Sequence, residues 1–362
     1  MITKGDDFPI HQTSSPIAEV GSERNFYDRY FFNGYNDDGS IFFGAAFCVY
    51  PNLNVKDASF IFVSEGIQHN FRYSDVLDYE RMETSVGSFK IEIIKPLKEI
   101  RIILNDEEKD INVDVTFTGR FEPMEEPRMT LRNGPRIYMD STRMTQHGHW
   151  TGNINFKSHN INLSEENYLG TRDRSWGIRP VGTQDTQIVP PLKLPQFYWL
   201  WAPANFDDVS SHLYFVDDEE GRATHSHCVE QKDSQSSILS SLKKEIHYYE
   251  GTRRISKAKF SAMKRDKTEV VWSLKPKYHI YMCGLGYMHP EWGHGMYHGE
   301  QKSFYDSYDL SEDPHDPPFL HIQAICHFEM KENDTTTKGL GVLEQLLIGP
   351  HIPSGFESLL DR

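Results

Sequence analysis

Three stretches of this 362-residue chain gather side chains able to move protons. In His147-Gly148-His149-Trp150-Thr151-Gly152 two imidazoles stand two residues apart. On a strand His147 and His149 share a face and Trp150 opposes them. Such a pair can accept and return protons near neutral pH; the alternative is two wall histidines bonded to their neighbours. Thr171-Arg172-Asp173-Arg174-Ser175-Trp176-Gly177-Ile178-Arg179-Pro180 packs three arginines, one acid and an indole together. Gly177 and Pro180 predict a fixed, irregular backbone. One role is scaffold, a buried Arg–Asp network under the indole. The other makes Asp173 an acid or base, with its flanking arginines favouring the carboxylate. The third stretch, Gly286 to Glu300, holds His289, His294 and His298 with Glu291 and Glu300. The spacing is not that of a helical metal motif. Its glycines and proline make a loop. Proton transfer, substrate orientation or strand-end hydrogen bonding is expected there, and no metal.

Weaker signals lie downstream. His225 and His227 face away from Cys228, so they make a poor ligand tract. In Phe197-Tyr198-Trp199-Leu200-Trp201 the residues Phe197, Trp199 and Trp201 share a face, either core or the apolar wall of a ligand cavity. Acidic residues number 53 against 38 basic, a net charge of -15, which argues against non-specific nucleic-acid binding. Tyr248-Tyr249 with Arg253 and Arg254 is the nearest approach to a nucleic-acid groove, and it is short. The four cysteines, Cys48, Cys228, Cys283 and Cys326, form no CxxC pair, so buried thiols are expected rather than a disulfide scaffold. Met1 to Glu23 has no continuous apolar stretch and does not read as a signal peptide. No run approaches 18 apolar residues. A cytoplasmic, non-membrane-spanning protein is the expectation.

The elements that must position these residues are strands. Ile111, Val113, Val115 and Phe117 alternate with Asn112, Asp114, Thr116 and Thr118, one face packed and one wet. Similar segments recur at Phe89–Ile94, Ser40–Tyr50, Ala58–Ser64, Ile100–Leu104, Gly148–Phe156, Phe197–Ala202, His212–Val216, Ala223–Val229, Glu245–Tyr249, Lys257–Met263, Glu269–Leu274, Tyr278–Gly284, Met296–Phe304 and His321–Met330. Turn chemistry at Asn36-Asp37-Asp38-Gly39 and Asp217–Gly221 marks hairpin tips. Gln231–Ser241 reads as a surface loop. Leu340, Leu343, Leu346 and Leu347 have helical spacing, so a short C-terminal helix is expected over Lys338–Ile348, stopped by Gly349-Pro350. No strand–Gly-loop–helix unit supports a nucleotide fold. Pro180–Pro195 is the boundary candidate, separating barrels or sandwiches over residues 25–190 and 191–350.

Asp173-Arg174-Ser175-Trp176-Gly177-Ile178-Arg179 resembles the D-[RH]-S-W-G-x-R signature of the carotenoid 1,2-hydratase / AttH-like proteins. His149-Trp150-Thr151-Gly152, Phe197–Trp201 and Gly286–Gly295 resemble them further, so the likeness runs over about residues 149 to 299. It implies an all-β fold of two tandem lipocalin-like antiparallel barrels packed together, with a hydrophobic cavity near their junction. It also implies hydratase or cyclase chemistry on a hydrophobic isoprenoid-, steroid- or polyketide-like molecule. In that reading His147, His149, Asp173, His289 and Glu291 transfer protons. Arg174, Arg179 and His294 orient them, and Trp150, Trp176, Trp199 and Tyr287 line the cavity and can stabilise a developing cation. No cofactor is expected. The alternative is a carrier that binds hydrophobic ligands without chemistry.

Overall fold

The structure is a computed structural model that describes residues 2–11, 16–183, 195–233 and 235–361. It is almost wholly antiparallel strand, and the chain divides into two compact units. The first comprises Met1–Pro190 with Cys283–Asp313, the second Pro191–Met282 with Pro314–Arg362. Residues 283–313 therefore leave the second unit and complete the first. Most of the Pro180–Pro195 segment lies outside the described residues.

In the first unit one long sheet runs through Lys302–Asp309, Ile67–Val76, Val55–Ser64, Phe42–Tyr50, Phe26–Asn36, Tyr168–Ile178, Arg136–Phe156, Ile111–Gly119, Glu99–Asp106, Phe89–Lys95 and Ser85–Val86. The sheet curls until Val86 joins Tyr73 and Leu77 in one core. That core is aromatic at its centre. Trp150 meets Phe43, Phe117 and Phe32 edge-on, at ring separations of 5.0, 5.3 and 5.9 Å. Edge-to-face packing suits rings with a negative face and a positive edge.

The second unit curls nine strands in the order Gln235–Ile238, Ala223–Lys232, Val209–Asp217, Phe197–Phe206, Thr335–Ile348, Ile322–Glu332, Glu269–Tyr281, Ile255–Met263 and Ser240–Tyr248. Lys264 ties it across the core by pairing with both Glu230 and Glu332 at 2.8 Å.

Four local expectations are corrected. The helix over Lys338–Ile348 is instead part of the strand Thr335–Ile348. Val342, Leu343, Glu344 and Gln345 are all buried there, and a strand covered on both faces loses its period-2 signature. The Gln231–Ser241 loop is instead built of strand, the ends of Ala223–Lys232, Gln235–Ile238 and Ser240–Tyr248. The irregular backbone expected over 171–180 is confined to Gly177 and the residues after Ile178; the rest is strand paired on both sides. Gly177 has φ +130° there, and a Cβ would lie 2.2 Å from the Asp140 carbonyl oxygen, so only glycine fits. The strand expected at Met296–Phe304 begins only at Lys302. All four cysteines are free and buried. No helix among the described residues is long and apolar enough to cross a membrane.

Candidate functional site

Strand alternation separates the Asp173 signature into two chemistries. Arg172, Arg174 and Trp176 point into the first unit, in register with Phe32, Tyr30 and Asp28. Asp173 and Ser175 point the opposite way, in register with Phe31 and Arg29.

The inward set is scaffold. Arg172 pairs with Asp7, and both side chains are fully buried. Arg174 pairs with Asp28 at 2.7 Å and lies 3.9 Å over the Tyr30 ring. It also donates to the carbonyls of Asp6 and Phe8, at 3.0 and 2.8 Å. The N-terminal segment thus closes this interior. His11 bridges Asp28 and Asp6 and stacks on Trp176 with ring centres 3.6 Å apart. Burial works to raise the Asp28 carboxyl, but Arg174 and His11 outweigh it and hold it below the ordinary carboxylate range. The arginines flanking Asp173 in sequence are therefore spent on Asp7 and Asp28, not on Asp173. Trp150 is core, its indole donating to the Asn33 carbonyl at 2.9 Å.

The outward face carries the candidate site. Cross-strand register places Ser74, Asp57, Cys48, Arg29, Ser175 and Arg143 in one row over six strands. The next row is Arg72, Ser59, Ala46, Phe31, Asp173 and Thr145. Arg29 is only 2% exposed. It donates from Nη1 to the Tyr287 hydroxyl, and its guanidinium lies 4.3 Å over that ring. Arg179 covers the same ring at 5.1 Å and Tyr27 at 5.3 Å. Burial opposes the charge on Arg29, but Tyr287 and Asp173 more than compensate and raise its affinity for its proton.

Tyr287 comes from the segment that returns from the second unit. Gly286 (φ +95°) allows its approach, because a Cβ there would lie 2.6 Å from the His294 ring. The His294 Nε2 bonds the Leu285 carbonyl at 2.8 Å, and its ring sits 4.4 Å from that of Tyr287.

Asp57 is a functional candidate that the sequence reading missed. Its Oδ2 accepts from the Gly295 backbone N–H at 2.8 Å and its Oδ1 from the Tyr50 hydroxyl at 3.2 Å. Burial pushes its carboxyl up to about 6, against the pull of these bonds and of Arg29 and Arg179. It lines a cavity of about 20 Å³ with Ser59, Ser74, Trp292, His294 and Met296, room for a single water. A second cleft, of about 680 Å³, is lined by Asp75, Glu83, Asp106, Glu107, Lys56 and Lys109. Those charges suit no apolar ligand.

The remaining candidates stand apart. His147 is fully buried on the Asp173 face, opposite Thr171. It lies two residues along its strand from the Asp173 row, about 7 Å, and His149 about 14 Å. His149 is 3.3 Å from Glu165, and burial lowers its pKa. His289 accepts at Nδ1 from the backbone N–H groups of Trp292 and Glu291, at 2.8 and 3.2 Å. Burial and the nearby Arg72 bring it down to about 4, so it is a neutral turn cap. Glu291 is exposed on that turn. No cluster able to hold a metal occurs among the described residues.

Trp199 belongs to the second unit. It meets His321 edge-on at 5.7 Å. His321 bonds buried Glu344 at 2.6 Å, and Gln323 donates to the other Glu344 oxygen. This His–Glu pair also escaped the sequence reading.

A family model described as a family of unknown function, DUF8625, matches residues 2–357. No curated protein matches the sequence. Among solved structures, the chain is similar to a Nitrosomonas europaea protein provisionally named AttH, at TM-score 0.55 and 11% identity, covering 93% of this chain and 98% of that one. Kievitone hydratase from Nectria haematococca matches at 0.52 and 11%, covering 94% and 98%. CghA matches at 0.52 and 10%, covering 94% and 95%. At such identities the likeness is one of fold, and it places the chain among the AttH-like, lipocalin-like β architectures.

Proposed function

This chain belongs to the family of unknown function DUF8625, and from its geometry we propose a cofactor-independent hydratase, cyclase or isomerase of a hydrophobic small molecule. Isoprenoid-, steroid- and polyketide-like molecules are the candidate substrates. The observation that carries this reading is Asp57. It is a half-buried carboxyl with a pKa of about 6, beside a cavity the size of one water. General acid–base groups work best when their pKa lies near the operating pH.

In a hydration, Asp57 gives its proton to one carbon of a double bond. Water adds to the other carbon, and its released proton restores the acid. In an isomerisation the second proton leaves the substrate instead. Neither route needs an oxidant or reductant. Arg29 and Arg179 repel a free carbocation, so the reading favours alkenes conjugated to an oxygen that can take the charge as an oxyanion. The fold likeness to a protein named kievitone hydratase agrees with this reading but does not fix a substrate.

The test begins with the small molecule that co-purifies with the protein from its own host, identified by mass spectrometry. It is then incubated with protein in oxygen-18 water and in deuterium oxide. Incorporation of one oxygen-18 marks hydration, and deuterium alone marks isomerisation. Asp57→Asn should lower either rate about 100-fold or more. A molecule returned unlabelled by the parent protein would identify a carrier and overturn the reading. Undiminished turnover in Asp57→Asn would remove Asp57 from the chemistry.

A further inference from the structure

We propose that Arg29 and Arg179 receive the carboxylate of a small apolar acid on the outward face of the first unit. The Nε and Nη2 atoms of Arg29 and the Nε of Arg179 are buried and have no hydrogen-bond partner among the described residues. A buried guanidinium N–H left unbonded is costly, more so than for a neutral group. Two such groups beside one phenol ring, 4.3 and 5.1 Å from its centre, add mutual repulsion, felt at Arg179.

A carboxylate answers both costs. It is planar and bidentate and matches the guanidinium fork. Its charge would stand against two like charges held 4.3 and 5.1 Å from one ring centre, joining Asp173 and Asp57, the acids that act on this pair. The surroundings select an apolar body. Arg29 lies against Phe31 and Tyr287, and Arg179 against Tyr27 and Tyr287. Approach is from the side of Asp173, Arg179 and Tyr287, which keep partial exposure while Arg29 does not.

This inference rests on the site assigned to catalysis above, but it is read by binding and not by turnover. The probes are octanoate and 4-phenylbutyrate, each against its neutral amide, with inorganic phosphate at matched ionic strength. Calorimetric titration of the full chain should show both carboxylates binding at least about tenfold more tightly than their amides. Phosphate should bind more weakly than either. Arg179→Met should abolish that preference. Arg29→Lys, which keeps the charge and loses the fork, should weaken carboxylate binding about tenfold. Amides binding as well as acids, or a preference that survives Arg179→Met, would overturn the proposal. Phosphate binding as tightly as the acids would do so too, reducing the site to a general anion trap. Asp57→Asn separates the two claims. If it binds octanoate with at least the parent's preference and turns over no substrate, both stand. If the parent protein prefers the acids yet turns over nothing, the carboxylate site stands alone. If the parent turns over a neutral substrate without preferring acids, the catalytic reading stands alone.

Discussion

Replacing Asp57 with Asn should make the protein more stable at neutral pH while removing its proposed acid. Unfolded, this carboxyl ionises near 3.8; folded, it ionises at about 6. Between those values the folded state holds a proton that the unfolded state has released. Stability therefore falls as pH rises through that window and levels off above it. The displacement corresponds to about 3 kcal/mol at pH 8 and about 1 kcal/mol at pH 4.5. Asn keeps an acceptor for the Gly295 N–H and has no charge to desolvate. Asp57→Asn should therefore exceed the parent by up to about 3 kcal/mol at pH 8, the margin shrinking by about 2 kcal/mol at pH 4.5. Urea unfolding followed by intrinsic fluorescence measures both differences. Hydrogen exchange over Val55–Ser64, compared with the parent at each pH, localises them to the first unit. A variant no more stable than its parent at pH 8, or a margin that does not widen with pH, would refute the account of Asp57. A group kept at a stability cost is what a functional site leads one to expect.

Gly341→Ala separates strand from helix in the second unit. In a helix the change would add about 1 kcal/mol; here the new Cβ would lie 2.3 Å from the Pro203 carbonyl oxygen, so the thermal midpoint should drop. Asp7→Ala leaves Arg172 buried and uncompensated, and should cost about 3–5 kcal/mol in a thermal or urea melt; an unchanged melt would show that the N-terminal segment does not close the first unit. His289→Ala should loosen the turn at 289–292, seen as faster amide exchange at Glu291 and Trp292, at a cost of about 1 kcal/mol. It should leave the pH dependence of turnover above pH 5 unchanged, because His289 titrates at about 4.

Strand content was legible wherever one face is packed and the other wet. Ile111–Gly119 shows that pattern, and the sequence alternation reports it directly. Burial on both faces erased the period, and only some such strands, Phe42–Tyr50 among them, were still marked by an unbroken apolar run. Phe26–Asn36 is covered along nearly its whole length, so it offers no period, and Thr335–Ile348 mimics a helix through the spacing of its leucines. The signature around Asp173 was visible as residue types, but its charges hid the alternation that sends Arg172 and Arg174 one way and Asp173 the other. Arg179 and Tyr287 could be singled out as residues, while their meeting at Arg29 could not. That site draws on segments more than 200 residues apart, and no local spacing encodes such a meeting. Asp57 had still less to mark it, one acid in an ordinary strand, significant only because the fold takes it out of water.

The pairing of Lys302–Asp309 with Ile67–Val76 imposes an order of assembly during synthesis. The first unit cannot finish its sheet until residue 309 has left the ribosome, and by then residues 191–282 of the second unit have already emerged. The second unit waits longer still, because its strands Ile322–Glu332 and Thr335–Ile348 emerge last. Until residue 309 is out, Ile67–Val76 offers an open edge, a template for any other strand in reach. A fragment cut after residue 190 would keep that edge for good and would lose Tyr287 with it. Division at the proline-rich segment thus yields an adhesive, incomplete barrel, where a conventional two-domain chain would yield two sound halves.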